Sequence, residues 1–532
     1  MRDNYRPDIE GLRCIAVLSV IFFHAGYSSF VSGFVGVDVF FVISGFLITS
    51  GIYNGISQGN FSVIDFFNRR FWRIQPLLLV LMLATTCYWY FNATPDDIIK
   101  FLASLKSLSL FSSNQYFGSL DFGYFSDNTD IMPLLHTWSL SIEWQWYFLL
   151  PFILVLLAND FGRRALPWVM LAGLLLMTYL GLRPSGEDDA VRYYSFSMRV
   201  FALIAGALVA TIDIKTIANK IPYWLNTLLS LSFLSLLIHM SQTKKAIPAY
   251  PNLYGLIAVS MTVLLIILGS SERKTAIFKV MAFKPFVLIG LLSYSLYIWH
   301  WPIFAAYRYK SVYMSASTVV LLLLASLLAA VLSYKLLENP MRKLYKKVPL
   351  TITLIILVFV PITFAHLLDS KVMANSIAKN PNDAIQIEWR NKNAQIADCQ
   401  DPDDLSEEYL AQCAFGTAGK KNSVLVIGDS WSDHFVLMVD HILKDAGRAG
   451  YHLTTSNDSP FLDDRGIAGK GPINQINFAA IKANQYDYVV IGNSLSRDYK
   501  HNKAIKSGKM ISKKTVTHKQ AKQISAKVSC KN

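Results

Sequence analysis

The feature that most constrains this chain is a ladder of long apolar runs through its first 370 residues. They lie near 14–31, 34–53, 75–92, 142–158, 165–182, 197–213, 222–240, 253–270, 286–306, 315–336 and 350–368. A helix rising ~1.5 Å per residue needs about 20 such residues to cross the hydrocarbon of a bilayer. Eleven runs of nearly that length cannot be core helices of a soluble protein. The expected fold is a polytopic α-helical membrane protein with about 11 transmembrane helices. Composition points the same way: 16% of the 532 residues are charged, where soluble domains carry about 25%. The first run is not read as a removable leader, because Asp8, Glu10 and Arg13 precede it and no small-residue cleavage site follows. A shorter, Ser-rich apolar segment near 98–113 is expected at the membrane interface.

Basic residues in short loops set the direction of threading. With the N-terminus in the cytoplasm, the inner loops hold Arg69, Arg70 and Arg73; Arg163 and Arg164; Lys215 and Lys220; Arg273, Lys274, Lys279 and Lys284; and Arg342, Lys343, Lys346 and Lys347. The outer loops are poorer in Lys and Arg and include Glu187-Asp188-Asp189, with Lys244 and Lys245 as the exception. Eleven crossings then leave everything beyond about residue 370 outside.

Beyond that point the composition changes. Residues 371–420 read as a polar linker. Ser423-Val-Leu-Val-Ile-Gly428 is a short buried-strand pattern ending at Asp429-Ser430, residues 433–446 read as a helix, and Tyr486–Ile491 is a second strand ending at Gly492-Asn493. Strand, turn, helix and strand suggest a partial parallel α/β domain over 421–499. From 500 to 532 an atypical tail carries ten lysines and no acidic residue. That tail explains most of the net charge of +14: without its lysines, 40 basic residues face 36 acidic ones. The basic excess therefore gives no reason to expect nucleic acid. Five cysteines without a CxxC exclude a disulfide scaffold, and no metal-ligand spacing is present. Cys399 and Cys413 fall on the outer side, where an oxidising compartment permits a bridge.

Ionisable side chains inside a span are costly and mark function by default. Arg13 and His24 are eleven residues apart, which places them on nearly the same face of a helix and about 16 Å apart along its axis. Arg69-Arg70-Phe71-Trp72-Arg73 precedes Pro76, read as a helix start that puts Arg70 and Arg73 on one entry face. Guanidinium forks suit phosphate or pyrophosphate. Glu143 ends a Trp138-Ser139-Leu140-Ser141 segment at the edge of an apolar run. In Ser293–Pro302 aromatic residues surround His300, read as an aromatic belt.

Together these segments resemble the acyltransferase 3 family of membrane O-acyltransferases of bacterial surface glycans. The matching motifs are Arg6–Arg13, His24, Gly36–Ile48, Arg69–Pro76, Leu135–Tyr147, Ser293–Pro302 and Glu338–Arg342, in family order over about 1–345. The resemblance implies a transmembrane domain over 1–345, an extra helix over 346–370, and an extracytoplasmic SGNH-type domain whose nucleophile block is similar to Gly428-Asp429-Ser430. The Cys399/Cys413 pair is similar to one that often precedes that domain. By resemblance, His24, Glu143 and Ser430 are catalytic, and Arg13, Arg70 and Arg73 bind the acyl donor acetyl-CoA. Asp38, Trp138, Ser139 and Asn493 complete the site, and no metal is implied.

Two departures from the family pattern stand out. Ala202 replaces a glutamate that many relatives carry after Arg199 in the sixth span. No Asp-x-x-His follows Ser430 at the expected distance; Asp498-Tyr-Lys-His501 has the spacing but the wrong place. A truncated SGNH domain with a replaced tail is expected, leaving Ser430 without its base. Gly428 and Asn493 still offer parts of an oxyanion site. The implied function is transfer of acetyl from cytoplasmic acetyl-CoA across the inner membrane to a glycan hydroxyl, on a lipid carrier or on lipopolysaccharide, with O-antigen as the first acceptor. The chain would lie among membrane lipids, N-terminus cytoplasmic and C-terminal domain periplasmic. The rival readings are peptidoglycan O-acetylation, a transporter of acyl donors or small solutes, and an inactive member. A transporter usually shows an internal repeat, and none is visible here.

Overall fold

The computed structural model describes residues 5–120, 129–183, 189–244, 250–310, 314–369, 411, 413–420, 422–455 and 486–492. The chain divides into two compact units, Met1–Ile377 and Ala378–Asn532.

Each apolar run of the first unit coincides with a helix: α1 (Pro7–His24), α2 (Gly36–Ser57), α3 (Val63–Asn92), α6 (Thr137–Leu156), α7 (Asp160–Leu182), α9 (Phe196–Ala210), α11 (Tyr223–Gln242), α12 (Leu253–Leu268), α14 (Lys284–Lys310), α15 (Ala316–Ser333) and the stretch α17 (Leu350–Leu354) to α18 (Val360–Asp369). Shorter connecting helices are α4 (Pro95–Ser109), α5 (Ser113–Gly118), α8 (Asp189–Tyr194), α10 (Ile214–Asn219), α13 (Ala276–Met281) and α16 (Asn339–Met341). Among the described residues, nine helical segments are long and apolar enough to span a bilayer. The remaining two of the eleven are α1, which carries Asp8, Glu10 and Arg13, and α12, which is 16 residues long. Helix directions agree with this threading. The backbones of α1 and α14 touch at Glu10 and Gly290, and His24 meets His300 further along both, so spans one and nine run parallel. Spans two and six run parallel too: Gly206 lies against Val42–Phe46, and Arg199 reaches Asp38 one to two turns earlier in both. A Cβ on Gly206 would come within 2.0 Å of the Val42 carbonyl oxygen. Close packing at small residues is how membrane helices gain contact without a hydrophobic drive between them. The chain is a multi-pass membrane protein, with large apolar side chains such as Phe161, Trp168, Leu321 and Leu328 exposed on α7 and α15.

Two boundaries differ from the sequence reading. Pro76 does not start a helix; α3 begins at Val63, capped by Ser62, whose hydroxyl accepts from the Asp65 N–H at 3.2 Å. Buried Phe66, Phe71 and Trp72 carry the helix through the proline, a residue membrane helices tolerate. Arg70 and Arg73 are therefore interior helical residues. Likewise α1 begins at Pro7, where proline suits a first turn and Asp8 and Glu10 complement the helix dipole. The segment near 98–113 forms α4 and buries Ile98, Phe101, Leu102, Leu105 and Leu108 in the bundle.

The second unit contains a four-stranded sheet of β1 (Ala414–Gly416), β2 (Asn422–Asp429), β3 (Ala449–Thr455) and β4 (Tyr488–Gly492), in the order β1-β3-β2-β4. β2 pairs in parallel with β3 and β4, and β1 adds an antiparallel edge. Helix α19 (Ser430–Asp445) follows β2 directly. The α/β reading thus stands, with β3, and β1 inside the stretch read as linker, as strands the sequence pattern did not reveal. Cys413 is disulfide-bonded, with its partner outside the described residues.

Candidate active site

A cavity of about 130 Å³ opens among α1, α2, α3, α6 and α14. Arg13, Arg70, Arg73, Ser139 and Glu143 line it together with Ser44, Tyr147, Ser293 and Tyr297. Arg13 is anchored: it pairs with Glu10 at 2.9 Å and donates to the Ser293 hydroxyl at 2.8 Å. Glu143 accepts from the Ser44 hydroxyl at 2.6 Å and from the Tyr147 hydroxyl. Arg70 lies over the rings of Phe66 and Tyr147. Neither Arg70 nor Arg73 has a hydrogen bond or ion pair among the described residues. Two guanidinium groups facing one cavity without a carboxylate of their own have the donor chemistry that phosphate oxygens need. The residues present therefore fit the acyl donor that the sequence suggests.

His24 does not line this cavity. It ends α1, buried, with its Nδ1 2.8 Å from His300 Nε2 and the two rings stacked at 13°. His300 Nδ1 lies 3.1 Å from the Leu296 carbonyl oxygen. A carbonyl only accepts, so His300 Nδ1 carries the proton and its Nε2 accepts from His24 Nδ1–H. In the neutral His24 ring the proton-free nitrogen is therefore Nε2. The partner of one ring nitrogen decides the chemistry of the other. Trp301 packs edge-on against His24 at 4.4 Å, and the Arg308 guanidinium donates to the His24 carbonyl.

Tyr297 joins the cavity to this cluster. Its hydroxyl donates to the His136 carbonyl at 2.9 Å and lies 2.7 Å from the Ser139 hydroxyl, while its ring meets His300. Ser293, Tyr297 and His300 stand four and three residues apart, on one face of α14. Arg13 and His24 meet that face from α1. Sequence reasoning read His300 as part of an aromatic belt; its 4–3 spacing with Tyr297 and Ser293 was the available signal. It places Glu338 in a matching motif but gives it no role; the residue is buried in a wide helical turn, accepts from Ser295 at 2.7 Å and pairs with Arg342.

Asp38 and Trp138 occupy a different place. The Asp38 carboxylate accepts from Arg199 at 3.1 Å and from the Tyr250 hydroxyl at 2.5 Å. The rings of Trp138, Tyr193 and Tyr250 surround the Arg199 guanidinium at 4.7–5.3 Å. Both partners of the ion pair are fully buried. Ala202, one turn on from Arg199, is buried as well. In the second unit, Ser430 is the first residue of α19, at the carboxyl end of central strand β2. The Ser430 side chain, Asn493, Asp498 and His501 lie outside the described residues.

A family model described as an acyltransferase domain matches residues 6–338, and one described as an SGNH domain fused to such domains matches residues 398–528. Peptidoglycan O-acetyltransferase OatA of Listeria monocytogenes is 30% identical over 351 residues, covering 64% of this chain and 56% of the relative. O-acetyltransferase OatA of Staphylococcus aureus is 30% identical over 352 residues, covering 64% and 58%. The chain thus spans a little over half the length of the curated relatives it matches. No solved structure matches it. With the first match covering more than half of its length, the chain belongs to the acyltransferase 3 family, in the group whose members carry a fused SGNH domain.

Proposed function

We propose that the chain is an O-acetyltransferase that takes acetyl from acetyl-CoA on the cytoplasmic side of the inner membrane and delivers it to a hydroxyl of a bacterial surface glycan outside. The observation that carries this reading is the hydrogen-bond chain Leu296–His300–His24, which sets one defined base beyond a cavity bearing two guanidinium groups that have no ion pair among the described residues. Arg70 and Arg73, with help from Arg13, would hold the phosphates of the donor. His24 Nε2 would take the proton of the acceptor hydroxyl, or accept the acetyl group briefly itself. In either route acetyl ends on the sugar oxygen and the proton leaves with the thiol. Glu143 is tied to Ser44 and Tyr147 beside Arg70, so its role is to shape the donor end.

The disulfide at Cys413 supports an outward C-terminal unit, because such bonds persist in oxidising compartments. The Listeria relative is named for peptidoglycan, and the motif resemblance suggests O-antigen of lipopolysaccharide; the same site suits either hydroxyl. Replacing His24 with Ala and measuring acetyl esters on isolated muropeptides and on O-polysaccharide tests both. Esters should fall to background on one of the two glycans. Esters unchanged on both would refute the assignment.

A further inference from the structure

A second cavity, of about 160 Å³, is lined by Trp89, Asp97, Lys100, Phe101, Tyr309 and the segment Ile131-Met132-Pro133. It belongs to neither the donor cavity nor the histidine cluster, yet two helices place it in line with both. Along α14 the donor cavity takes Ser293 to Ile298, the histidine cluster His300 and Trp301, and the second cavity Tyr309. Along α3 the donor cavity takes Arg70 to Ile74 and the second cavity Trp89. Eleven residues separate Ile298 from Tyr309 and fifteen separate Ile74 from Trp89, about 16 Å and about 22 Å along the two helix axes. The cavities therefore sit toward opposite ends of the same spans, with His24 and His300 between them.

The wall shared with the histidines is direct. The Met132 carbonyl accepts from Trp301 Nε1 at 2.7 Å, and Trp301 packs on His24. Four residues after Met132, the His136 ring lies 5.9 Å from that of His300. Arg308, which holds the His24 carbonyl, immediately precedes Tyr309.

The lining has a definite chemistry. Trp89 stacks with Phe101 at 23° and lies 5.9 Å from Tyr309, which makes an aromatic wall. One oxygen of Asp97 is occupied by the hydroxyls of Thr94 and Tyr309, each at 2.7 Å. Its other oxygen accepts no hydrogen bond among the described residues, and the exposed Lys100 ammonium has no ion pair among them. A carboxylate acceptor and an ammonium donor beside aromatic rings match the two faces of a pyranose: hydroxyls in its plane and a C–H face above it.

We propose that this second cavity is the acceptor subsite, binding a pyranose of the surface glycan and presenting its hydroxyl toward His24. This rests on the acetyl-transfer reading above. The test is binding, not turnover, so the two can fail separately: transfer fails if His24→Ala leaves esters intact, and the subsite fails on affinity alone. The purified full-length protein in lipid nanodiscs is titrated with a de-O-acetylated muropeptide disaccharide and, separately, with de-O-acetylated O-polysaccharide. At least one should bind, identifying the glycan source. Its Kd should weaken about tenfold in Asp97→Asn and in Lys100→Ala, the loss of one charge-assisted hydrogen bond each. Affinity for coenzyme A should stay unchanged in both variants. Lys100 is exposed and has no ion pair among the described residues, so its replacement should leave the fold intact and that variant remains decisive if Asp97→Asn disturbs the start of α4. Binding of neither glycan by the unaltered protein, or an affinity in both variants unchanged from that of the parent, would overturn the proposal.

Discussion

Arg199 and Arg73 both carry a guanidinium into the helical bundle, and the chain treats them in opposite ways. Arg199 is fully buried, paired with Asp38 and caged by Trp138, Tyr193 and Tyr250. Arg73, with Arg70 one turn before it, faces a cavity and has no ion pair among the described residues. Desolvating a charge costs several kcal/mol unless something compensates it. Where the chain supplies the compensation, the charge fastens helices together, here α2, α9 and the loop at Tyr250. Where it does not, the charge is left to solvent or to a ligand. Residue type alone separates neither case, since both arginines stand beside aromatic residues at helical spacing.

The comparison can be broken from either side. The largest effect is expected at the self-contained pair. Asp38→Ala strands the Arg199 charge in the bundle and should cost about 3–5 kcal/mol of stability. It is read as a marked loss of Tm in detergent; a variant that unfolds like the parent would show that the pair holds nothing. A smaller effect belongs to His300, a positioning residue that acts through His24. His300→Leu should lower the acetyl-transfer rate about three- to tenfold, the worth of one hydrogen bond, without changing KM for acetyl-CoA. His300→Gln, which can still accept from His24 Nδ1, should recover part of the loss. A rise in KM instead would move His300 to the donor site. The smallest effect is expected at Lys215, whose 2.8 Å pair with Glu272 is mostly exposed. Such pairs contribute little, so Lys215→Ala should leave Tm and transfer within error, and a measurable loss would show that exposed charge matters more here than buried geometry.

The bundle was legible in the sequence because a span is a local property: twenty apolar residues declare themselves without reference to anything else. Each of the eleven runs is a helix in the structure. Helix ends were less legible, because Pro76 reads as a start while the packing of Phe66, Phe71 and Trp72 continues α3 through it. Of the site, the sequence picks out Arg13, Arg70, Arg73, Ser139 and Glu143, which the fold gathers around one cavity. Asp38 resembles them in sequence but meets Arg199, 161 residues away. His300 hides for the same reason, its partner His24 being 276 residues distant. The second cavity draws its walls from separate stretches of chain, and no local pattern in the sequence reports it.

The most direct test sets the two arginines side by side. Tm and coenzyme A affinity are measured in lipid nanodiscs for the parent, Arg199→Ala and the Arg70→Ala/Arg73→Ala double variant. A charge left for a ligand should show as a loss of affinity of about a hundredfold or more in the double variant, from two charge-assisted contacts, with Tm unchanged. Arg199→Ala should show the reverse, a lowered Tm with affinity retained in whatever remains folded. Coenzyme A affinity unchanged in the double variant, with Tm lowered there instead, would contradict the distinction and the donor site with it.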